Sequence, residues 1–136
     1  MNLPTEQAVA MWLADSGYFN DAIILKGQND EEVPNDKAVI YIACENTDSS
    51  APALYLASVR IIISSPAVIE DSLEDHRVMC LALRTVLRNA STMVTPFANE
   101  SIKCCGAVLN NWADSQDNQR WLSQASLTIG IVDLLA

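Results

Sequence analysis

Apolar and polar positions alternate most cleanly from Leu54 to Ile63. Tyr55, Ala57, Val59, Ile61 and Ile63 fall on one side of an extended chain, and Leu54, Leu56, Ser58, Arg60 and Ile62 on the other. A period of two predicts a strand whose faces are both largely covered, with Arg60 needing a partner or a wet rim. After Ser65-Pro66 the period lengthens. Leu73, His76, Cys80, Leu83 and Leu87 form one stripe, widened by Met79 and Val86, which predicts a long amphipathic helix through about Arg88. Glu70, Asp71, Glu74 and Asp75 crowd its start and Arg84 and Arg88 its end, as the helix dipole favours.

Upstream, Ala8, Val9, Trp12 and Leu13 recur at helical spacing. Pro4 and Thr5 open this first helix, Glu6 suits its first turn, and Gly17 ends it. A short apolar run, Ala22 to Leu25, precedes an acidic, turn-rich loop from Gly27 to Asp36; Ala38 to Glu45 is β-branched and aromatic and reads as a buried strand. Residues 46 to 52 read as a turn. Downstream, a polar connection containing Pro96 runs to about Ser101, and two strand-like segments, Lys103 to Trp112 and Trp121 to Leu134, flank a loop from Ala113 to Arg120 as an antiparallel hairpin. The pattern predicts one α+β domain spanning 1–136. Its mostly antiparallel sheet has about four to five strands, with an N-terminal helix and one long helix packed on it, in the order helix-strand-strand-strand-helix-strand-strand.

Composition adds an expectation of assembly. Half of the residues are hydrophobic and the mean hydropathy is +0.14 despite a net charge of -9, so apolar side chains exceed what one small core hides. Eight basic residues against seventeen acidic ones, with an isoelectric point near 4.3, argue against sequence-independent nucleic-acid binding. The start of the chain lacks a secretory pattern and no apolar run approaches membrane-spanning length, which predicts a soluble protein made in a cytoplasm. Cys44, Cys80, Cys104 and Cys105 lack C-x-x-C spacing, and the last two point to opposite faces if they lie in a strand.

Candidate chemistry is sparse. His76 and Cys80, four apart on a helix, could offer two zinc ligands, with Cys104 or Cys105 as a third, but a fourth is not evident. As nucleophile and base the pair is disfavoured, because nearby carboxylates raise a thiol pKa. The cluster Glu70, Asp71, Glu74 and Asp75 lacks the spacing and glycine of a calcium loop, and none of the four glycines sits in a phosphate-cradling motif. No catalytic, cofactor-binding or metal-binding residue is assigned. Asp30, Glu31 and Glu32 read as a solvated loop or a contact surface. Trp112 and Trp121 bracket the hairpin loop either as a cross-strand aromatic pair or as interface anchors. With Asp114, Asp117 and Arg120 of that loop, these are the candidate interface residues.

The amphipathic first helix ending in Ser16-Gly17-Tyr18, the strand Val59 to Ile63, the helix with Glu74-Asp75-His76, and the closing segment Leu127 to Val132 together resemble the tail terminator, or tail completion, proteins of long-tailed phages. The resemblance covers most of the chain and rests on element order and hydrophobicity. It implies a structural subunit, without catalysis or cofactor, that forms a homo-oligomeric ring, commonly a hexamer. Such a ring caps the tail tube protein, ends its polymerisation, meets the head-completion or neck protein, and lets genomic DNA pass without specific binding. The expected place is the head-proximal end of the virion tail, reached from the host cytoplasm without membrane contact. The competing readings are a head-side neck protein, a small non-phage α+β adaptor or ligand-binding domain, and a thiol- or metal-dependent enzyme using His76 and Cys80.

Overall fold

The computed structural model describes residues 2–27, 36–67, 72–89, 93–117 and 119–135. Helix α1 (Asn2–Asp15) leads into a short strand β1 (Ile23–Lys26), then a long hairpin β2 (Val39–Ala51) and β3 (Leu54–Pro66). Helix α2 (Ser72–Leu87) and a one-and-a-half-turn helix α3 (Val94–Asn99) precede a second long hairpin, β4 (Ile102–Gln116) and β5 (Arg120–Asp133). The five strands form one sheet in the order β1-β2-β3-β5-β4. Only β1 and β2 run parallel; every other pairing is antiparallel. The two hairpins meet at the centre, where β3 pairs with β5 from Leu54↔Val132 to Pro66↔Arg120.

The inner face carries the core, and its rows follow the alternation in the sequence. Ile40 and Ile42 of β2, Ala57, Val59, Ile61 and Ile63 of β3, and Ala125, Leu127, Ile129 and Ile131 of β5 are all buried. Against them pack Val9, Trp12 and Leu13 of α1, Leu83 and Val86 of α2, and Met93 and Phe97 at α3. Burying a side chain of this size stabilises by roughly 1.5–3 kcal/mol before chain entropy is charged. This row is therefore what fixes the register of the sheet.

The outer face is not covered as the alternation suggested. Leu56, at 45% exposure, and Ser58 are open, and Leu54, Arg60 and Ile62 are half-buried. Arg60 finds its partner there: its guanidinium meets Glu45 at 2.9 Å across the β2–β3 pair.

Four further expectations change. Residues 46 to 51 continue β2 rather than turning, because the hairpin reverses only at Pro52 and Ala53, where Ala53 takes φ of +66°. The register shift between Cys44 and Asn46 absorbs the polar run Asn46 to Ser50 into the ladder. The connection around Pro96 contains α3, since a proline in the first turn of a helix removes no hydrogen bond that the helix needs. Glu6 is not a first-turn acid. It is buried, and its carboxylate accepts the backbone N–H of Cys44 at 2.8 Å beside the β2 irregularity. Finally, the β4–β5 hairpin is longer than its apolar pattern: its strands run to Gln116 and from Arg120, leaving a three-residue connection.

Candidate functional site

A concavity lies where α2 passes over the end of the β4–β5 hairpin. It is a groove of about 700 Å³, walled by Leu73, Arg77, Leu81 and Arg84 of α2 on one side and by Trp112, Asp114, Gln116 and Trp121 of the hairpin on the other, with His76, Cys80 and Ser123 on its floor. The register explains the hairpin wall. Trp112, Asp114 and Gln116 lie opposite Ala125, Ser123 and Trp121, so all three share the inner face of β4.

A chain of polar side chains runs under the groove. The imidazole of His76 lies 2.8 Å from Ser65 Oγ through Nδ1 and 2.8 Å from Ser123 Oγ through Nε2, and Ser123 Oγ donates to Asp114 Oδ1 at 2.6 Å. Trp112 Nε1–H donates to the same carboxylate oxygen at 2.9 Å. Counting donors sets the direction. A serine has one O–H, and Ser123 gives it to a carboxylate that can only accept, so His76 must donate from Nε2 and accept from Ser65 at Nδ1. Every buried polar atom of Ser65, His76 and Ser123 in this chain is thereby paired, which is what lets three polar groups sit in an apolar layer.

The electrostatics agree with a held, neutral imidazole. Burial pushes the His76 pKa below its ordinary 6.5, opposed by the negative charge of Asp114. The hydrogen bond from Ser123 holds the Asp114 carboxyl below the usual carboxylate range, against partial desolvation and with help from Trp112, Arg84 and His76. Burial pushes the Cys80 thiol up, the nearby Asp114 charge adds to this, and Ser123 and Arg84 oppose it. In this arrangement the Ser123 proton points at Asp114 and not at His76, so the imidazole is not placed to activate that hydroxyl. Cys80 is likewise held as the unreactive thiol. Among the described residues, no group of three or more His, Cys, Asp or Glu side chains is arranged to hold a metal ion.

The structure gathers some sequence candidates and separates others. Trp112, Asp114 and Trp121 converge on the groove, but the two tryptophans are not a cross-strand pair: Trp112 faces Ala125, and Trp121 faces Gln116. Trp112 instead lies under the guanidinium of Arg84, 4.4 Å from its ring centroid, and Trp121 Nε1–H donates to Ser72 Oγ at the start of α2. Asp117 shapes the hairpin connection, its Oδ1 accepting the N–H groups of Gln119 and Arg120 at 2.8 and 2.7 Å. Arg120 arches over the outer face, donating to Ser64 Oγ, Ser64 O and Lys37 O. Asp30, Glu31 and Glu32 lie outside the described residues.

Ser65 and Ser123 were not among the sequence candidates, although a signal for them existed. Each is the one hydroxyl at the end of an otherwise apolar inner row, Ala57 to Ile63 and Ala125 to Ile131, and a polar residue in such a row needs a buried partner. Cys104 and Cys105 do point to opposite sides: Cys104 Sγ lies 3.4 Å from Met93 Sδ, while Cys105 is exposed and occupies the space a Cβ on Gly130 would need.

No protein-family model matches the chain, and no curated protein matches it either.

Proposed function

We propose that this chain is a non-enzymatic structural subunit that closes into a ring of identical copies, of the kind that caps the tail tube of a long-tailed phage at its head-proximal end. The observation that carries this reading is strand β4. It is fifteen residues long, lies at the sheet edge, and is exposed over most of its length, with Val108 at 61% and Leu109 at 44%. A long, partly apolar edge strand is an aggregation hazard in a lone domain and an asset in a subunit whose neighbour covers it. The α+β fold and the apolar excess of an acidic chain support the same reading. So does the His76 chain, whose donors and acceptors are consumed in tying α2 to the hairpin.

In this reading the partners are further copies of the chain, the tail tube protein below and a head-completion or neck protein above. Genomic DNA passes through an acidic ring to which it does not adhere. No helix among the described residues is long and apolar enough to cross a membrane. Native mass spectrometry tests the ring, and electron microscopy of tubes polymerised with and without the protein tests the cap. A chain that stays monomeric at high concentration in the presence of tubes, leaving tube length unchanged, sinks the proposal. A second reading, a small-ligand-binding adaptor, draws on the groove beside α2. It requires a small molecule, found in a thermal-shift screen, that stabilises the wild type and not a Trp112→Ala variant.

A further inference from the structure

We infer that the groove between α2 and the β4–β5 hairpin receives the acidic segment Gln28 to Asp36 of a second copy of this chain. The inference rests on the ring reading and names the contact that would close the ring. Its first support is charge. The chain carries -9 overall, yet the two charged residues on the helix wall of the groove are both arginines, Arg77 and Arg84. The one carboxylate in the groove, Asp114, is already engaged by Ser123 and Trp112. Among the described residues neither Arg77 nor Arg84 makes a salt bridge; Arg77 is exposed, and Arg84 lies over the Trp112 ring and within electrostatic reach of Asp114. Two arginines set between two tryptophans and two leucines have the composition of an interface centre. They call for carboxylates followed by an apolar residue. Residues 28–36 read Gln-Asn-Asp-Glu-Glu-Val-Pro-Asn-Asp, in which Asp30-Glu31-Glu32, the one run of three consecutive acids in the sequence, is followed directly by a Val-Pro step.

The second support is topological. The segment leaves from Gly27, just after β1, and returns at Asp36, just before β2, so its ends belong to the β1 edge of the sheet; the groove belongs to the β4 edge. The edge strands β1 and β4 stand about 19 Å apart at the usual strand spacing, while the returning end comes nearer, Lys37 O accepting from Arg120 at the start of β5. Helix α2 also stands between, because Asp36 and Lys37 border its other flank, with Asp75 and Val78. A donor at one edge and an acceptor at the other suit a head-to-tail contact, the kind that closes rings of identical copies.

The test uses the full chain with its own segment neutralised (Asp30→Asn, Glu31→Gln, Glu32→Gln), so that the groove is empty, titrated with a capped peptide of residues 27–36. The chain has three tryptophans, hence three indole N–H signals in a nitrogen-correlated NMR spectrum. Trp12 is buried in the core, so its signal stays fixed, while those of Trp112 and Trp121 move with the peptide. Arg77→Glu with Arg84→Glu in the same chain abolishes the movement. Since an anionic peptide meets an anionic protein, binding that depends on two arginines cannot be bulk attraction. Arg77→Glu alone, which breaks no side-chain hydrogen bond or ring contact among the described residues, keeps the result readable if the double variant misfolds. In the otherwise wild-type chain the double reversal gives monomers, and adding Asp30→Lys, Glu31→Lys and Glu32→Lys restores the oligomer. Unmoved indole signals, or movement indifferent to both arginines, overturn the inference. Rings that form without the peptide touching the indoles leave the ring reading standing and remove this contact. Binding by a chain that never oligomerises keeps the groove and removes the ring.

Discussion

Ser123 accepts from the His76 imidazole, donates to Asp114, and lies beside the Cys80 thiol, so one hydroxyl joins helix and hairpin beneath the outer links of Trp121 to Ser72 and Arg84 to Trp112. His76 is the only histidine in the chain, which makes its titration separable. Its folded pKa is lowered by burial. As pH falls through 6.5 the unfolded chain takes up a proton that the folded chain refuses, so the stability contributed by the neutral, paired imidazole is complete above 6.5 and is lost progressively below it, down to the lowered folded value. Asp114, also lowered, adds a loss that begins only near its ordinary 3.8. Urea unfolding from pH 8 to 5 is expected to show a falling midpoint in the wild type. In His76→Gln the midpoint is lower at pH 8 and nearly flat across that range, and a wild-type curve equally flat would show that the imidazole is not held neutral. At the opposite end of the sheet, Ala53 closes the β2–β3 hairpin at φ +66°, where a side chain is strained. Ala53→Gly is therefore expected to raise unfolding free energy by up to about 1 kcal/mol.

At the scale of elements, β4 is the strand with least support. Its ladder to β5 is continuous apart from shifts at Cys104/Gly106 and Leu109/Asn111, but α3 reaches only its first part, and the rest is bare on most sides. Val108→Lys at the exposed edge is expected to leave monomer stability within about 0.5 kcal/mol while weakening self-association, read by urea unfolding beside sedimentation velocity. Unchanged association would take β4 out of the interface. The hairpin connection needs gentler handling than the hydrophobic pattern suggests. That pattern ends the strands at Trp112 and Trp121 and makes Asp114 a loop residue, because charged and amide side chains from Asp114 to Gln119 carry no apolar alternation. Cutting out Asp114 to Asn118 would remove the acceptor of Ser123 and disturb α2. Asp117→Ala isolates the connection instead, leaving two backbone N–H groups without their acceptor at a cost of about 1 kcal/mol, measured by thermal unfolding. Where apolar residues do alternate, as from Tyr55 to Ile63 and Leu127 to Ile131, pattern and structure coincide. They part at Asn46 to Ser50 and around Pro96, where tertiary pairing and a short helix override residues that favour turns on their own. The groove was half legible: Trp112, Asp114 and Trp121 stood out by type, whereas Arg77 and Arg84 join them only through the packing of α2 over the hairpin.

At the scale of the whole molecule, a net charge of -9 drives copies apart while exposed apolar side chains, Leu56, Val78, Leu81, Val108 and Leu109 among them, draw them together. Leu81 lines the groove one helical turn from Arg77, so charge complementarity and apolar burial would act at one place. If folded copies associate and unfolded chains do not, association pulls the folding equilibrium toward the native state by mass action, and apparent stability rises with protein concentration. A chain that works alone has no such dependence. The melting temperature of the wild type is therefore expected to climb by several degrees between low-micromolar and near-millimolar protein, in buffer of moderate ionic strength. Arg77→Glu with Arg84→Glu should melt at one temperature throughout, somewhat below the wild type at its most dilute, because Arg84 loses its contact with the Trp112 ring and its attraction to Asp114 while the core beneath is unchanged. Differential scanning calorimetry over that concentration range separates the cases. A wild-type melting temperature that ignores concentration would mean that the apolar excess is not spent on self-assembly. A concentration dependence that survives in the double variant would place the assembly surface elsewhere, with the bare edge of β4 next in line.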